Sequence, residues 1–265
     1  MGEKGVLCVS FGTSHEATRL KTIDAIEQQL AASFPERRFY SAWSSSVIRK
    51  RVFEARGECH DGVDDALAKV QADGVDDLVV ATTFLMPGRE MKRVEAAVGE
   101  WAVDAKCSVA FADPLLSSED DLRLLAEAVC DEFSYVADDE ALLLMGHGSP
   151  HGANEVYSQI QDCLRACGRS QFFVATVEGV PTFDEVLPSV LASGARCVYL
   201  APLMIVAGDH ANNDLAGPGE DSWQSILQAR GMQTRAVLKG LGEYAGVQKL
   251  VCEHACGASR SAALA

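Results

Sequence analysis

Three side chains in the second half of the chain combine metal-binding chemistry with a suggestive placement. His147 lies in the segment MGHGS, directly after the apolar run Leu142–Met145. Glu178 closes the run FFVATVE, and His210 lies in AGDHANND, shortly after the apolar run Cys197–Ala201. His147 and Glu178 are 31 residues apart, and Glu178 and His210 are 32 apart, which is one strand-plus-helix unit each time. Three such residues at the ends of successive strands can reach one place. Two imidazoles and a carboxylate are a familiar donor set for a divalent first-row metal, and they leave coordination positions open. Open positions suit a metal that is handed on rather than kept. Each residue also has a plainer reading. His147 serves equally as a turn histidine between two glycines. His210 fits a helix-start cluster in which Asp209 does the capping, and Glu178 fits an exposed carboxylate. If His210 is a ligand, Asp209, Asn212, Asn213 and Asp214 are at hand to accept its second ring proton.

The remaining histidines carry less. His15 and His151 follow Gly-Thr-Ser and Gly-Ser-Pro turns and read as helix caps, and His60 and His254 read as exposed. The nine cysteines are odd in number and scattered, which argues against a disulfide framework. Cys163 and Cys167, and likewise Cys252 and Cys256, are spaced to share a helix face. No Cys-x-x-Cys pair occurs, so all nine read as small buried apolar residues.

Positioning such residues requires strands. Eight short apolar runs, Val6–Ser10, Phe39–Trp43, Leu78–Thr82, Ser108–Ala112, Leu142–Met145, Phe172–Val177, Cys197–Ala201 and Thr234–Leu238, alternate with helical patterns. Continuous apolarity predicts strands covered on both faces, and strict alternation with helices predicts a parallel α/β fold. In the first helix Leu20, Ile23, Ile26, Leu30 and Phe34 mark one buried face. Ser118 with Asp121 three residues on reads as a capping pair. The pattern runs twice: VLCVSFGTSH is echoed by LLLMGHGSPH, FYSAWS by FVATVE, and LVVATTFLMPGRE by VYLAPLMIVAGDH. The prediction is therefore two similar doubly wound halves, residues 1–136 and 137–265, with the acidic stretch Val136–Glu140 as the seam. A ligand cleft is expected at the carboxyl ends of their strands. Residues Gly257–Ala265 read as a frayed tail.

A formal net charge of −15 excludes nucleic-acid binding through a basic face. An anionic ligand would need a local basic cleft, and two clusters offer one: Arg49, Lys50 and Arg51, and Arg89, Lys92 and Arg93. No apolar run approaches the roughly 20 residues needed to cross a membrane. No secretory signal is visible, so a cytoplasmic location is expected.

Six segments carry a family resemblance: SFGTSH from Ser10, MGHGS from Met145, VEGVP from Val177, PLMIVAGDHANND from Pro202, DSWQSILQARG from Asp221 and LKGLGEY from Leu238. Together they make the chain, over nearly its whole length, similar to the anaerobic-type sirohydrochlorin cobaltochelatases. The resemblance implies a class II chelatase fold, with two α/β halves around a tetrapyrrole cleft, and insertion of cobalt(II) into sirohydrochlorin without an organic cofactor. It implies that His147, Glu178 and His210 are the metal ligands and that Glu90 lines the cleft opposite them. The family often carries histidine where this chain has Phe84, a departure that argues against an extra metal or haem contact from that wall. The substrate is rich in carboxylates. Arg49 and Arg89 are candidate partners for them, since guanidinium groups pair with carboxylates bidentately. Ser10, Thr13 and Ser14 are candidate hydroxyl or backbone donors, although Ser14 is equally placed to cap a helix.

Other readings stay open on sequence alone. Iron(II) could replace cobalt(II), because such donor sets discriminate poorly between neighbouring ions. A less carboxylated porphyrin could be the macrocycle, and it would not need both basic clusters. A non-catalytic metal or tetrapyrrole carrier would use the same two lobes. A zinc hydrolase would ordinarily show His-Glu-x-x-His on one helix, and the chain has none. A homo-oligomer is compatible with the sequence, which does not specify one.

Overall fold

The computed structural model describes residues 2–149 and 154–258. The first unit comprises residues 1–117 and 248–265, and the second comprises residues 118–247. The first unit's sheet is built from β1 (Glu3–Ser10), β2 (Arg38–Trp43), β3 (Val75–Thr82) and β4 (Ser108–Phe111), all parallel in the order β2-β1-β3-β4. Between the strands run α1 (Glu16–Lys21), α2 (Ile23–Ser33), α3 (Ser46–Arg56), α4 (Val63–Ala72) and α5 (Arg89–Ala105). The second unit opens with α6 (Glu119–Glu132) and repeats the plan with β5 (Ala141–Gly146), α7 (Glu155–Ala166), β6 (Phe172–Thr176), α8 (Phe183–Ala192) and β7 (Cys197–Pro202). A π-helical turn (Ala211–Leu215), α9 (Trp223–Ala229), β8 (Gln233–Ala236) and a 3-10 turn (Leu241–Glu243) follow. This second sheet has the parallel order β6-β5-β7-β8. The two orders are the same when β1 is matched to β5, β2 to β6, β3 to β7 and β4 to β8. The internal repeat seen in the sequence is therefore a repeat of topology.

The central strands are buried for the reason their composition suggests. Val6, Leu7, Cys8 and Val9 of β1 and all six residues of β5 lie away from solvent, because helices cover both faces of each sheet. Each fully buried Leu or Val contributes about 1.5–3 kcal/mol of transfer free energy. In the second unit Leu143, Met145, Leu200 and Leu215 pack with Phe183, whose ring stacks on Trp223 at 4.7 Å. Ser118 caps α6 as predicted: its hydroxyl accepts from the Asp121 amide, and the Asp121 carboxylate accepts from the Ser118 amide.

Three expectations change. The predicted first helix is two helices, because Thr22 (φ −114°, ψ −81°) breaks it. Leu20 is consequently 53% exposed while Ile23, Ile26 and Leu30 stay in the core. The seam at residues 136 and 137 does separate the two sheets, but the compact units divide elsewhere. The helix α6 packs on α7 and belongs to the second unit. The last helix, α10 (Ala245–Gly257), passes from the second unit into the first at Gln248. The strand β8 spans Gln233–Ala236 rather than Thr234–Leu238 and is largely exposed, as befits the sheet's edge. Residues 259–265 of the predicted tail lie outside the described residues, as does His151. Among the described residues no helix is long and apolar enough to cross a membrane.

Candidate metal site

His147, Glu178 and His210 come together at the carboxyl edge of the second sheet. One donor atom from each lies within 4.8 Å of the others. The two imidazole rings meet edge to face, with centroids 4.9 Å apart at 89°. The Glu178 Oε2 lies 3.8 Å from His147 Nδ1. All three side chains are partly open to solvent: His147 and Glu178 are 50% exposed and His210 is 32% exposed.

The strand ends dictate this arrangement. His147 follows β5 at the centre of the sheet. Its carbonyl accepts from the Glu178 amide at 2.8 Å, and the Gly146 carbonyl accepts from the Val177 amide at 3.0 Å. These bonds extend the β5–β6 pairing past the formal strand ends and tie the first two donors together through the backbone. Close approach depends on two glycines. Gly148 has φ +80°, and a Cβ there would meet the Gly179 amide nitrogen at 2.4 Å. A Cβ on Gly179 would meet Asn154 Oδ1 at 2.4 Å. Neither position admits a side chain without displacing the turn.

The helix that follows completes the support. The Gly148 amide donates to the buried Tyr157 hydroxyl at 3.0 Å, and Asn154 exchanges hydrogen bonds with the Ser149 backbone. His210 sits where the chain enters the π-helical turn. Asn212 donates to the Ala207 and Gly208 carbonyls, which fixes the start of that turn.

Ring orientation follows from hydrogen-bond chemistry. His210 Nδ1 is 2.8 Å from Asp214 Oδ2. An ionised carboxylate only accepts, so Nδ1 carries the proton and Nε2 is left with a lone pair. His147 Nδ1 is 3.1 Å from the Gly148 carbonyl oxygen, which imposes the same tautomer. Both histidines can thus present Nε2 to a metal, as imidazole ligands with an outer hydrogen-bond acceptor do.

The other candidate residues all belong to the first unit. Ser10 is fully buried at the end of β1, beside the Cys8 thiol. Among the described residues the hydroxyls of Ser44 and Thr82, just past the end of β2 and at the end of β3, are buried with no hydrogen-bond partner. Thr13 Oγ1 accepts from the His15 amide at 3.2 Å. His15 rather than Ser14 occupies the cap position of α1, and the Ser14 carbonyl accepts from Arg56. Glu90 begins α5 and pairs with Arg93 at 3.1 Å. Arg89 is exposed at the same helix start. Arg49 pairs with Asp65 at 3.6 Å and packs against Gly62, so its guanidinium already has a partner. Phe84 is partly buried against the first unit's core, a packing role in place of a ligand.

His60 is not the exposed residue that the sequence predicts. Its ring stacks on Trp43 at 3.6 Å and contacts Arg19 and Glu58. Burial, then the Arg19 charge, hold its pKa below the usual histidine value. Sequence reasoning missed Tyr157 and Asn154 as supports of the metal turn. Tyr157 lies on the buried face of an amphipathic helix, where an aromatic reads as core, and nothing local in the sequence reports its hydroxyl contact.

A parallel α/β unit with two imidazoles and a carboxylate gathered at its strand ends has the makings of a protein that takes up and releases a divalent metal. The family model described as cobalt chelatase (CbiK) matches residues 4–259, and the chain belongs to that family. The chain is 33% identical over 252 residues to the sirohydrochlorin cobaltochelatase of Salmonella typhimurium, covering 95% of both chains. It is 30% identical over 256 residues to the sirohydrochlorin cobaltochelatase CbiKC of Nitratidesulfovibrio vulgaris, covering 96% of this chain and 90% of that one. The fold is that of SirB from Bacillus subtilis solved with Fe³⁺, with a TM-score of 0.66 at 12% identity, covering 95% of this chain and 94% of that one.

Proposed function

We propose that this protein inserts cobalt(II) into sirohydrochlorin, with His147, Glu178 and His210 as the side chains that hold the incoming ion. The observation that carries this reading is the convergence of the three donors within 4.8 Å at adjacent strand ends. Membership of the cobalt chelatase family and two relatives named as sirohydrochlorin cobaltochelatases support the choice of metal and macrocycle.

Insertion requires a partly desolvated metal and the loss of two pyrrole N–H protons. Two neutral imidazoles and a carboxylate satisfy the first need with exchangeable bonds and leave open positions for the macrocycle's nitrogens. As those nitrogens bind, the protein donors let go. The freed imidazole Nε2 atoms, and the Glu178 carboxylate, are then bases positioned where the pyrrole protons leave.

The candidate contacts for the substrate's acid groups all belong to the first unit. Arg89 is exposed, and no ion pair to it is found among the described residues. Among the described residues the hydroxyls of Ser44 and Thr82 are buried without partners, a cost that a polar ligand would relieve. Thr13, Ser14 and Glu90 lie near the starts of the helices that follow β1 and β3. Arg49 would have to leave Asp65 to take part. The nine free cysteines, none of them disulfide-bonded, support a cytoplasmic site of action.

The test is the visible spectrum of the cobalt(II) complex. A protein-bound ion with mixed nitrogen and oxygen donors gives d–d bands distinct from aqueous cobalt(II). Those bands should appear with the unaltered protein and be lost in Glu178→Ala. Identical spectra for the two proteins would remove Glu178 from the ligand set.

A further inference from the structure

The turn after β1 is gripped by the end of α3 and the short segment that follows it. Gly12, at φ +94°, lies so close to the Trp43 ring that a Cβ would come within 2.7 Å of it, and the His60 ring stacks on Trp43 at 3.6 Å and 7°. Arg56, in the last turn of α3, uses two of its nitrogens at once. Its Nη1 donates to the Ser14 carbonyl at 3.0 Å, and its Nε donates to Glu58 Oε1 at 2.8 Å. The other Glu58 oxygen accepts from Arg19 Nη1 of α1 at 3.0 Å. The Arg56 hydrogen bond holds the Glu58 carboxyl below the usual carboxylate range, so it stays an ionised acceptor for both guanidinium groups. A ring of contacts thus runs from Ser14 through Arg56, Glu58 and Arg19, and returns along α1 to the turn.

We propose that Arg56 is a positioning residue for sirohydrochlorin: by pinning the Ser14 carbonyl it holds the Ser14 hydroxyl ready to donate to a carboxylate of the macrocycle. This rests on the reading that sirohydrochlorin is the substrate. The turn lies at the carboxyl end of β1, where ligands of parallel sheets bind. Ser14 is only partly buried, and its hydroxyl is not spent on capping α1, whose cap residue is His15. The His15 amide donates to Thr13 Oγ1 at 3.2 Å, so the peptide group between Ser14 and His15 is fixed at both ends. The Arg56 guanidinium is itself engaged by the Ser14 carbonyl and by Glu58, so it acts through Ser14. A lysine in its place offers one point charge instead of a fork and cannot hold both acceptors in the same geometry. A donor displaced by about 1 Å loses much of its contribution to binding.

The test is equilibrium binding of sirohydrochlorin to the full-length protein, read from the macrocycle's own fluorescence well below each variant's melting midpoint, beside cobalt(II) affinity. Arg56→Ala should weaken sirohydrochlorin binding by roughly 10-fold and leave cobalt(II) affinity unchanged. Arg56→Lys should restore only part of the loss. Ser14→Ala should weaken binding by a similar factor, and adding Arg56→Ala to it should cost little more, because the two side chains act through one contact. Unaltered binding in Arg56→Ala, or losses from the two substitutions that simply multiply, would overturn the inference. Full recovery in Arg56→Lys would overturn it as well, since charge alone would then suffice. The assay needs no turnover, so the two readings fail differently: an unaltered protein that binds no sirohydrochlorin fails the proposed function, whereas equal binding by the unaltered protein and Arg56→Ala fails this inference alone.

Discussion

Replacing Asp214 separates a ligand histidine from a structural one. Asp214 does not reach the metal in this account. It accepts the Nδ1 proton of His210 at 2.8 Å and so leaves Nε2 free. A charge-assisted hydrogen bond of this length is worth about 1.5–3 kcal/mol when buried. The two side chains are 32% and 47% exposed, so solvent screening reduces that to about 1 kcal/mol. Asp214→Asn keeps an acceptor but removes the charge, and cobalt(II) affinity should fall by at most about 5-fold, which is about 1 kcal/mol. Asp214→Ala lets the ring turn and exchange tautomers, and the loss should reach 10–100-fold. Folding stability should change by less than about 1 kcal/mol, since the side chain is half exposed. Calorimetric titration with cobalt(II), beside a thermal melt of each variant, reads both quantities. Unchanged affinity in Asp214→Ala, in a protein that melts normally, would refute the claim that His210 binds metal through an oriented imidazole.

Three further expectations rest on other parts of the structure. Tyr157→Phe leaves the buried Gly148 amide without its acceptor, which should lower stability by about 1–3 kcal/mol and slow insertion. A denaturant titration with unchanged midpoint would contradict the contact. Arg89→Ala should raise KM for sirohydrochlorin with little change in cobalt(II) affinity, and an unaltered KM would take Arg89 out of substrate binding. Burial raises the Glu27 carboxyl to about 7, against the opposing hydrogen bond from Ser41. Its folded pKa therefore exceeds the unfolded value of 4.5. The native state binds more protons between those values, so stability falls as pH rises from about 4.5 to 7, by about 3 kcal/mol at most. Glu27→Gln should flatten that slope and be the more stable protein at pH 8, as melts across the range would show.

Much of this architecture was legible because it is written in short-range pattern. Continuous apolar runs such as those around Val6 and Leu142 have few interpretations besides a doubly covered strand, and their echo located the repeat. The three candidate donors stood out because each lies at or shortly after the end of such a run. What was not legible depends on approach in three dimensions. The break at Thr22 comes from one residue's dihedrals within an unbroken apolar periodicity. The Trp43–His60 stack, the hydroxyl of Tyr157 beneath Gly148 and the capture of Arg49 by Asp65 join residues whose individual types point to core, loop or open surface. The packing of α6 with the second unit escapes a seam drawn on composition, because the acidic stretch after it marks a turn and not the limit of a folded unit.

The central claim is catalytic metal insertion through the His147, Glu178 and His210 cluster. The most direct measurement follows the visible bands of sirohydrochlorin with cobalt(II) and a trace of protein, compared with the spontaneous rate and with His210→Ala. The account predicts many turnovers per molecule with the unaltered protein, and a rate at the spontaneous level with the variant while its circular dichroism is unchanged. Undiminished turnover in His210→Ala, or a band shift that stops at one equivalent per protein, would contradict it.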